Sequence, residues 1–262
     1  MRIVVCVKEV LDPAAVNNYA LSGGLAMSAD GRHPEVAAIP RLINGYDEQA
    51  LEAALRLRDA GLDCRIVVVT IATEAASMLK QCAALGADEI VAIDPGSREL
   101  DAPGIATVLA AWVRSSGGAD LILCGRQASD DDQGVVPLLL AENLGHAVTT
   151  LAREVSLADG ALSVTRATPE GDEVVRGKLP AVVTVSNELG APRFPTAKAK
   201  MAARKMSAEV VAIDSLGIDA AALTPSITLQ RQFVPQIQGN CEFLSGSPAE
   251  IAKALMERIR AA

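Results

Sequence analysis

Five short apolar runs rich in Val and Ile recur at residues 3–7, 65–71, 89–93, 121–124 and 181–185 of the 262-residue chain. Their apolarity is continuous and not alternating, which fits strands buried on both faces. The segments between them carry helical period. In residues 46–61, Ala50, Leu51, Ala54, Leu55 and Arg58 share a face, while Glu52 and Arg56, four apart, read as a surface pair. Asn44 stands where an N-cap belongs, and Gly61 is a natural stop. Thr73 can cap a second helix that presents Ala75, Met78, Leu79, Cys82 and Leu85 before Gly86 ends it. A third helix is expected over about 103–114 and a fourth over about 133–144, with Gly145 behind it. This alternation predicts an α/β fold in three layers, with a parallel sheet wound right-handedly and ligands at the carboxyl ends of the strands.

From residue 153 the pattern changes to period two. Val155 and Leu157, Leu162 and Val164, then Val174 are separated by Asp159-Gly160 and Glu170-Gly171-Asp172, which are hairpin signals. An antiparallel extension over about 151–180 is expected at one sheet edge, inside a single α/β domain of residues 1–190. Residues 191–262 carry scattered prolines and little periodicity until 248–260, where Ile251, Leu255 and Ile259 repeat at four. They read as a loop followed by a C-terminal arm that ends in a helix, too long to be idle and suited to gripping another subunit.

Composition excludes several classes. With 24 Lys+Arg against 32 Asp+Glu, the net charge of −8 opposes phosphate-driven binding of nucleic acid. The five cysteines, Cys6, Cys64, Cys82, Cys124 and Cys241, form no C-x-x-C and read as buried thiols of a reducing compartment. Residues 1–8 read as a first strand and not as a secretory leader, and no apolar stretch approaches the roughly 20 residues of a membrane span. The expectation is a cytoplasmic protein not integral to a membrane. There is no G-x-G-x-x-G, no P-loop and no G-x-S-x-G, and His33 and His146 cannot form a zinc site with isolated cysteines.

The richest stretch is Gly125-Arg126-Gln127-Ala128-Ser129-Asp130-Asp131-Asp132-Gln133-Gly134-Val135-Val136-Pro137, directly after a buried strand. Strand, polar loop and helix N-terminus make anion-binding architecture, in which amides near Gly134 and Val135 face a phosphate and Arg126 adds charge. Three consecutive aspartates would repel that phosphate unless they point elsewhere. A capped helix with a solvated acidic loop therefore stands level with an anion site, and a magnesium site is the weaker third, since consecutive loop residues seldom converge on one octahedron. Residues 193–205 hold Arg193, Lys198, Lys200, Arg204 and Lys205 with no acidic residue, a pattern that alone reads as a solvated basic loop.

Taken together, Val5-Cys6-Val7-Lys8, Asn44-Gly45-Tyr46-Asp47, Ala84-Leu85-Gly86-Ala87-Asp88, the Gly125 to Asp132 loop, Lys178-Leu179-Pro180-Ala181 and Pro192-Arg193-Phe194 resemble the β subunit of electron transfer flavoproteins, FixA-type members included. The resemblance runs nearly the whole length. It implies a Rossmann-like domain related to the adenine-nucleotide α-hydrolases, paired with an α subunit that holds the redox FAD. It also implies AMP, or in electron-bifurcating members a second FAD, in the β subunit itself. By position, the cofactor contacts implied are Cys6, Asn44, Asp47 and Ile71 for the adenosine, and Gly125, Arg126, Gln127, Asp130, Gln133, Gly134, Val135 and Val136 for the phosphates. The stretch with Arg193, Phe194, Pro195 and Lys198 matches the loop that docks donor dehydrogenases. The protein would then be an electron carrier and not an enzyme. It would take electrons from a dehydrogenase or NADH and pass them to a quinone oxidoreductase, ferredoxin or flavodoxin. Alternatives of the same fold are a stand-alone universal-stress-type ATP/AMP-binding module and a nucleotide hydrolase relying on Asp130 to Asp132.

Overall fold

The structure is a computed structural model and describes residues 1–32, 34–35, 39–158, 160–234 and 241–261. The chain opens with β1 (Arg2–Cys6), then an insertion of β2 (Glu9–Leu11), α1 (Pro13–Leu21) and β3 (Arg41–Ile43), and enters α2 (Gly45–Asp59). There follow β4 (Arg65–Ile71), α3 (Ala76–Leu85), β5 (Glu89–Asp94), α4 (Ala102–Ser115), β6 (Leu121–Gly125) and α5 (Val136–Leu144). The extension is β7 (Ala147–Ala158), β8 (Ala161–Thr168) and β9 (Gly171–Gly177), after which β10 (Ala181–Val185) returns to the centre. Last come α6 (Ala197–Ala203), β11 (Glu209–Ala212) and α7 (Pro248–Ala261).

Nine of the strands form one sheet in the order β11-β5-β4-β1-β6-β10-β7-β8-β9, parallel from β11 through β7 and antiparallel across β8 and β9, while β2 and β3 pair antiparallel in a separate two-stranded sheet. The five apolar runs are five adjacent inner strands, β5-β4-β1-β6-β10. Their alternate residues feed two cores, as double coverage requires. Ile3, Val5, Ile66 and Val68 pack on one face against Leu51, Leu55, Met78 and Leu79 of α2 and α3. Val4, Val67 and Val69 pack on the other face against Leu109, Trp112 and Leu140 of α4 and α5. Each fully buried aliphatic side chain contributes roughly 1.5–3 kcal/mol relative to exposure.

The helix ends differ in instructive ways from their sequence reading. Ala75, not Thr73, precedes α3, and Asp101 caps α4 by accepting from the Gly104 amide at 3.0 Å. Helix α5 begins at Val136, three residues later than expected, because the residues before it stay in the loop. Glu52 is no surface residue. It is 6% exposed, and its carboxylate is shared between Arg56 in the next turn and Arg193 from far along the chain. Of the thiols, Cys82 and Cys124 are buried, Cys6 and Cys64 partly so, and Cys241 is exposed, against the expectation of burial.

Residues 191–223, read from sequence as the start of the arm, return to the body. β11 pairs with β5 at the sheet edge, and Ile213 and Leu223 join the second core. No helix among the described residues is long and apolar enough to cross a membrane.

Candidate functional site

In a doubly wound sheet, the crevice lies where successive crossovers leave in opposite directions. Here that point is β1, with β4 on one side and β6 on the other. A cleft of about 550 Å³ opens there, lined by Cys6, Val7 and Lys8 after β1, Thr70 and Ile71 of β4, Cys124 and Gly125 of β6, and the loop that enters α5. A cavity of about 610 Å³ between α2 and β7 is lined by Arg56, Arg153, Glu154 and Glu188. It sits away from the strand ends and gathers none of the candidate residues.

The first turn of α2 holds the cleft together. Asn44 occupies the N-cap position, yet its side chain makes no cap bond. It reaches across to the loop, where Nδ2 donates to the Gln127 carbonyl at 2.8 Å and Oδ1 accepts from the Ser129 amide at 3.2 Å. One turn on, Asp47 accepts from the Lys8 amide at 2.8 Å and from the Gly125 amide at 3.0 Å, clamping the ends of β1 and β6. Two buried polar residues, Asn44 at 1% and Asp47 at 7% exposed, thus find full hydrogen bonding in one another's surroundings, as burial demands.

Burial pushes the Asp47 carboxyl up to about 7, against the two backbone donors that favour its ionised form. Because the folded carboxyl keeps its proton to about pH 7 and an unfolded one loses it near pH 4, the stability this gives is present in full at low pH. It is lost as the pH rises through 7. Asp47→Asn is expected to be less stable than the parent at about pH 5, since an amide can accept only one of the two donors. Thermal denaturation is expected to show the gap in melting temperature narrowing from about pH 5 to about pH 8. A gap constant over that range would mean the carboxyl does not titrate there.

The loop disposes of its three aspartates. Asp130 and Asp131 pair with the Lys8 ammonium at 2.7 and 3.5 Å, and Asp132 accepts from Gln127 Nε2 at 2.7 Å. With these carboxylates engaged, the loop ends in Gly134 at φ +65, where a Cβ would lie 2.9 Å from the Arg126 carbonyl. Among the described residues, no protein acceptor takes the amides of Gly134, Val135 and Val136, and α5 has no side-chain cap. Three open donors at a helix N-terminus favour an anion. Ser129 Oγ on the same loop is buried and unpartnered.

Ten of the twelve cofactor candidates line the cleft: Cys6, Asn44, Asp47, Ile71, Gly125, Gln127, Gln133, Gly134, Val135 and Val136. Arg126 and Asp130 stand outside its walls. The Arg126 guanidinium lies 5.5 Å over the Tyr46 ring and donates to Gln127 Oε1, and Asp130 is drawn out by Lys8. Sequence reasoning missed Lys8, Thr70, Asp101 and Ile105. The rule that placed ligands at strand ends covers Lys8 and Thr70, and it extends to the start of the helix after the next strand. It also missed Ile227 and Leu229, which belong to a stretch without periodicity.

Cys6 and Cys124 are register partners on adjacent strands at the cleft floor. A hydrogen bond to Cys6 and burial push the Cys124 thiol up, so it is no thiolate nucleophile at neutral pH. No group of three or more His, Cys, Asp or Glu side chains among the described residues is placed to hold a metal ion.

Of the docking candidates, Arg193 is tethered: Nε meets Glu52 Oε2 at 2.7 Å and Nη2 meets Asp59 Oδ2 at 2.7 Å. The tether fixes the backbone beside Phe194, which is 93% exposed, and Pro195 and an exposed Lys198 follow it into α6.

A sequence model of the electron transfer flavoprotein domain matches residues 36–216. The chain is 30% identical over 99% of its length to a subunit of Acetobacterium woodii, "Caffeyl-CoA reductase-Etf complex subunit CarD", 98% of which is covered. It is 31% identical to the electron transfer flavoprotein subunit beta of Megasphaera elsdenii over 84% of this chain and 80% of that one. With the subunit beta of Clostridium acetobutylicum it shares 27% over 99% of this chain and 98% of the other. A doubly wound sheet with a cleft at its switch point, in a chain whose sequence matches the family model over residues 36–216 and these relatives over 84% to 99% of its length, places the chain in the electron transfer flavoprotein family, as a β subunit.

Proposed function

We propose that this β subunit holds an adenine nucleotide, either AMP or the ADP half of a second FAD, in the cleft beside β1, while an α subunit carries the redox FAD. The observation that carries the reading is the open run of amides at Gly134, Val135 and Val136, at the mouth of a cleft that also has an aliphatic wall. Those amides suit a phosphate, while Ile71, Ile105 and Leu109 offer apolar walls to a base. A bound flavin supplies hydride and single-electron chemistry. The chain's own residues position and shield. Asn44 fixes the loop, Asp47 fixes the strand ends, and the aliphatic walls keep water out.

In this reading the chain is a carrier subunit and not an enzyme alone. Electrons come from a dehydrogenase or NADH and leave to a quinone oxidoreductase, ferredoxin or flavodoxin. Phe194, held out by the Arg193 tether and flanked by Lys198, supplies the docking contact for an acidic-rimmed apolar pocket on the donor. The full-length likeness to a subunit named for a reductase-Etf complex supports service in a larger assembly.

Asn44→Ala tests the site. It frees the Gln127 carbonyl and the Ser129 amide together, at about 1–3 kcal/mol for unmade buried hydrogen bonds. The heterodimer is expected to form but to retain at least about tenfold less nucleotide after gel filtration, a loss of roughly 1.4 kcal/mol or more in binding. Retention equal to the parent's would mean that this loop does not hold the nucleotide.

A further inference from the structure

We propose that residues 224–232 form a strap that closes the nucleotide cleft, with Ile227 and Leu229 as its ceiling. This rests on the reading that the cleft holds an adenine nucleotide, and it adds a wall that the sheet and its helices do not provide.

The strap is pinned at both ends. Upstream, Leu223 is buried in the second core, and the Ser226 amide donates to Asp101 Oδ2 at 2.6 Å. The other oxygen of that carboxylate caps α4, at the cleft's edge. Downstream, the Gln232 amide donates to the Gly31 carbonyl at 2.7 Å, in the insertion between β1 and α2. Gly31 sits at φ +66, and a Cβ there would lie 3.2 Å from Arg231 Cγ, so this anchor depends on glycine.

Between the anchors, Ile227 and Leu229 line the cleft and yet remain 73% and 43% exposed. Two large aliphatic side chains held over a cleft, with Ile71 and Ile105 among its other walls, leave a slot for a flat apolar body. A purine ring in that slot would cover both strap residues and the wall beneath them, removing apolar surface from water on each face. With so few aromatic residues in the chain, an aliphatic sandwich is the available way to hold a base. Release of the nucleotide then requires the strap to lift off at least one anchor, which makes retention a property of the strap as much as of the phosphate loop.

The test uses the heterodimer with its α subunit, purified with bound nucleotide, and follows loss of that nucleotide during dialysis against nucleotide-free buffer. Two variants are compared with the parent: Ile227→Ser with Leu229→Ser, which strips the ceiling, and Gly31→Val, which breaks an anchor outside the cleft walls. Both are expected to release the nucleotide at least about tenfold faster with the heterodimer intact; once emptied, the Ile227→Ser/Leu229→Ser variant melts as the parent does, and Gly31→Val melts lower because of the strain of a side chain at φ +66. Release at the parent's rate by both variants would overturn the strap while leaving the nucleotide reading intact. A parent heterodimer that carries no nucleotide beyond the FAD of its α subunit would overturn both.

Discussion

Gly125→Ala is expected to lower the melting temperature by about 5–10 °C and to empty the cleft, which is a large effect for one methyl group. Gly125 is the last residue of β6, and its backbone touches the first turn of α2. A Cβ there would lie 2.7 Å from Tyr46 Cβ and 2.8 Å from the Tyr46 carbonyl carbon, and would also press on the Asp47 carboxylate. None of these is the loose end of a flexible side chain, so α2 itself must move. Overpacking of this kind costs about 1–3 kcal/mol, and displacing Asp47 adds the hydrogen bond it accepts from the Gly125 amide. At about 2–4 °C per kcal/mol for a chain of this size, the shift in a thermal scan follows. Gly145→Ala is the control. Unlike Gly125 it sits at positive φ, +68, but a Cβ there meets nothing within 4 Å, so only the backbone cost of roughly 1 kcal/mol is expected. Equal effects at the two glycines would mean that the close approach of β6 to α2 contributes nothing.

The second large effect concerns the arm. Ending the chain after residue 240 removes α7, whose Leu255, Met256 and Ile259 are 48%, 47% and 60% exposed on one side of an otherwise polar helix. Such a face is stable in water only at a cost, and a partner groove that took three or four aliphatic side chains would recover it. A cut before Leu223 would remove a side chain packed in the second core and confuse unfolding with loss of docking. The later cut keeps Leu223 and the strap. Binding to the α subunit is expected to weaken more than about 100-fold, roughly 2.7 kcal/mol, with the melting temperature of the isolated chain unchanged within about 2 °C. An unaltered heterodimer peak on a sizing column would show that α7 is not the grip.

The central sheet was legible because each of its strands announces itself by continuous Val and Ile, and the order of elements leaves few windings. Residues 9–43 were not legible. Strands β2 and β3 have three residues each, and α1 buries none of its side chains, so no periodicity marks them. Glu52 shows a different limit. Its i,i+4 partner Arg56 was visible in the sequence, but the decisive partner, Arg193, lies 141 residues away, and only folding brings it near. The acidic loop was ambiguous for the same reason. Whether Asp130 to Asp132 repel a phosphate depends on Lys8, more than 120 positions earlier. The candidate site was readable where ligand chemistry resides in the backbone at strand ends, and unreadable where the arm folds back as Ile227 and Leu229.

The most direct measurement is the nucleotide content of the heterodimer: the chain is co-expressed with its α subunit, purified and denatured, and the released FAD and AMP are quantified by chromatography. One adenine nucleotide per heterodimer beyond the FAD of the α subunit, as AMP or as a second FAD, is the expected result. A single FAD with no second nucleotide would contradict the assignment of the cleft.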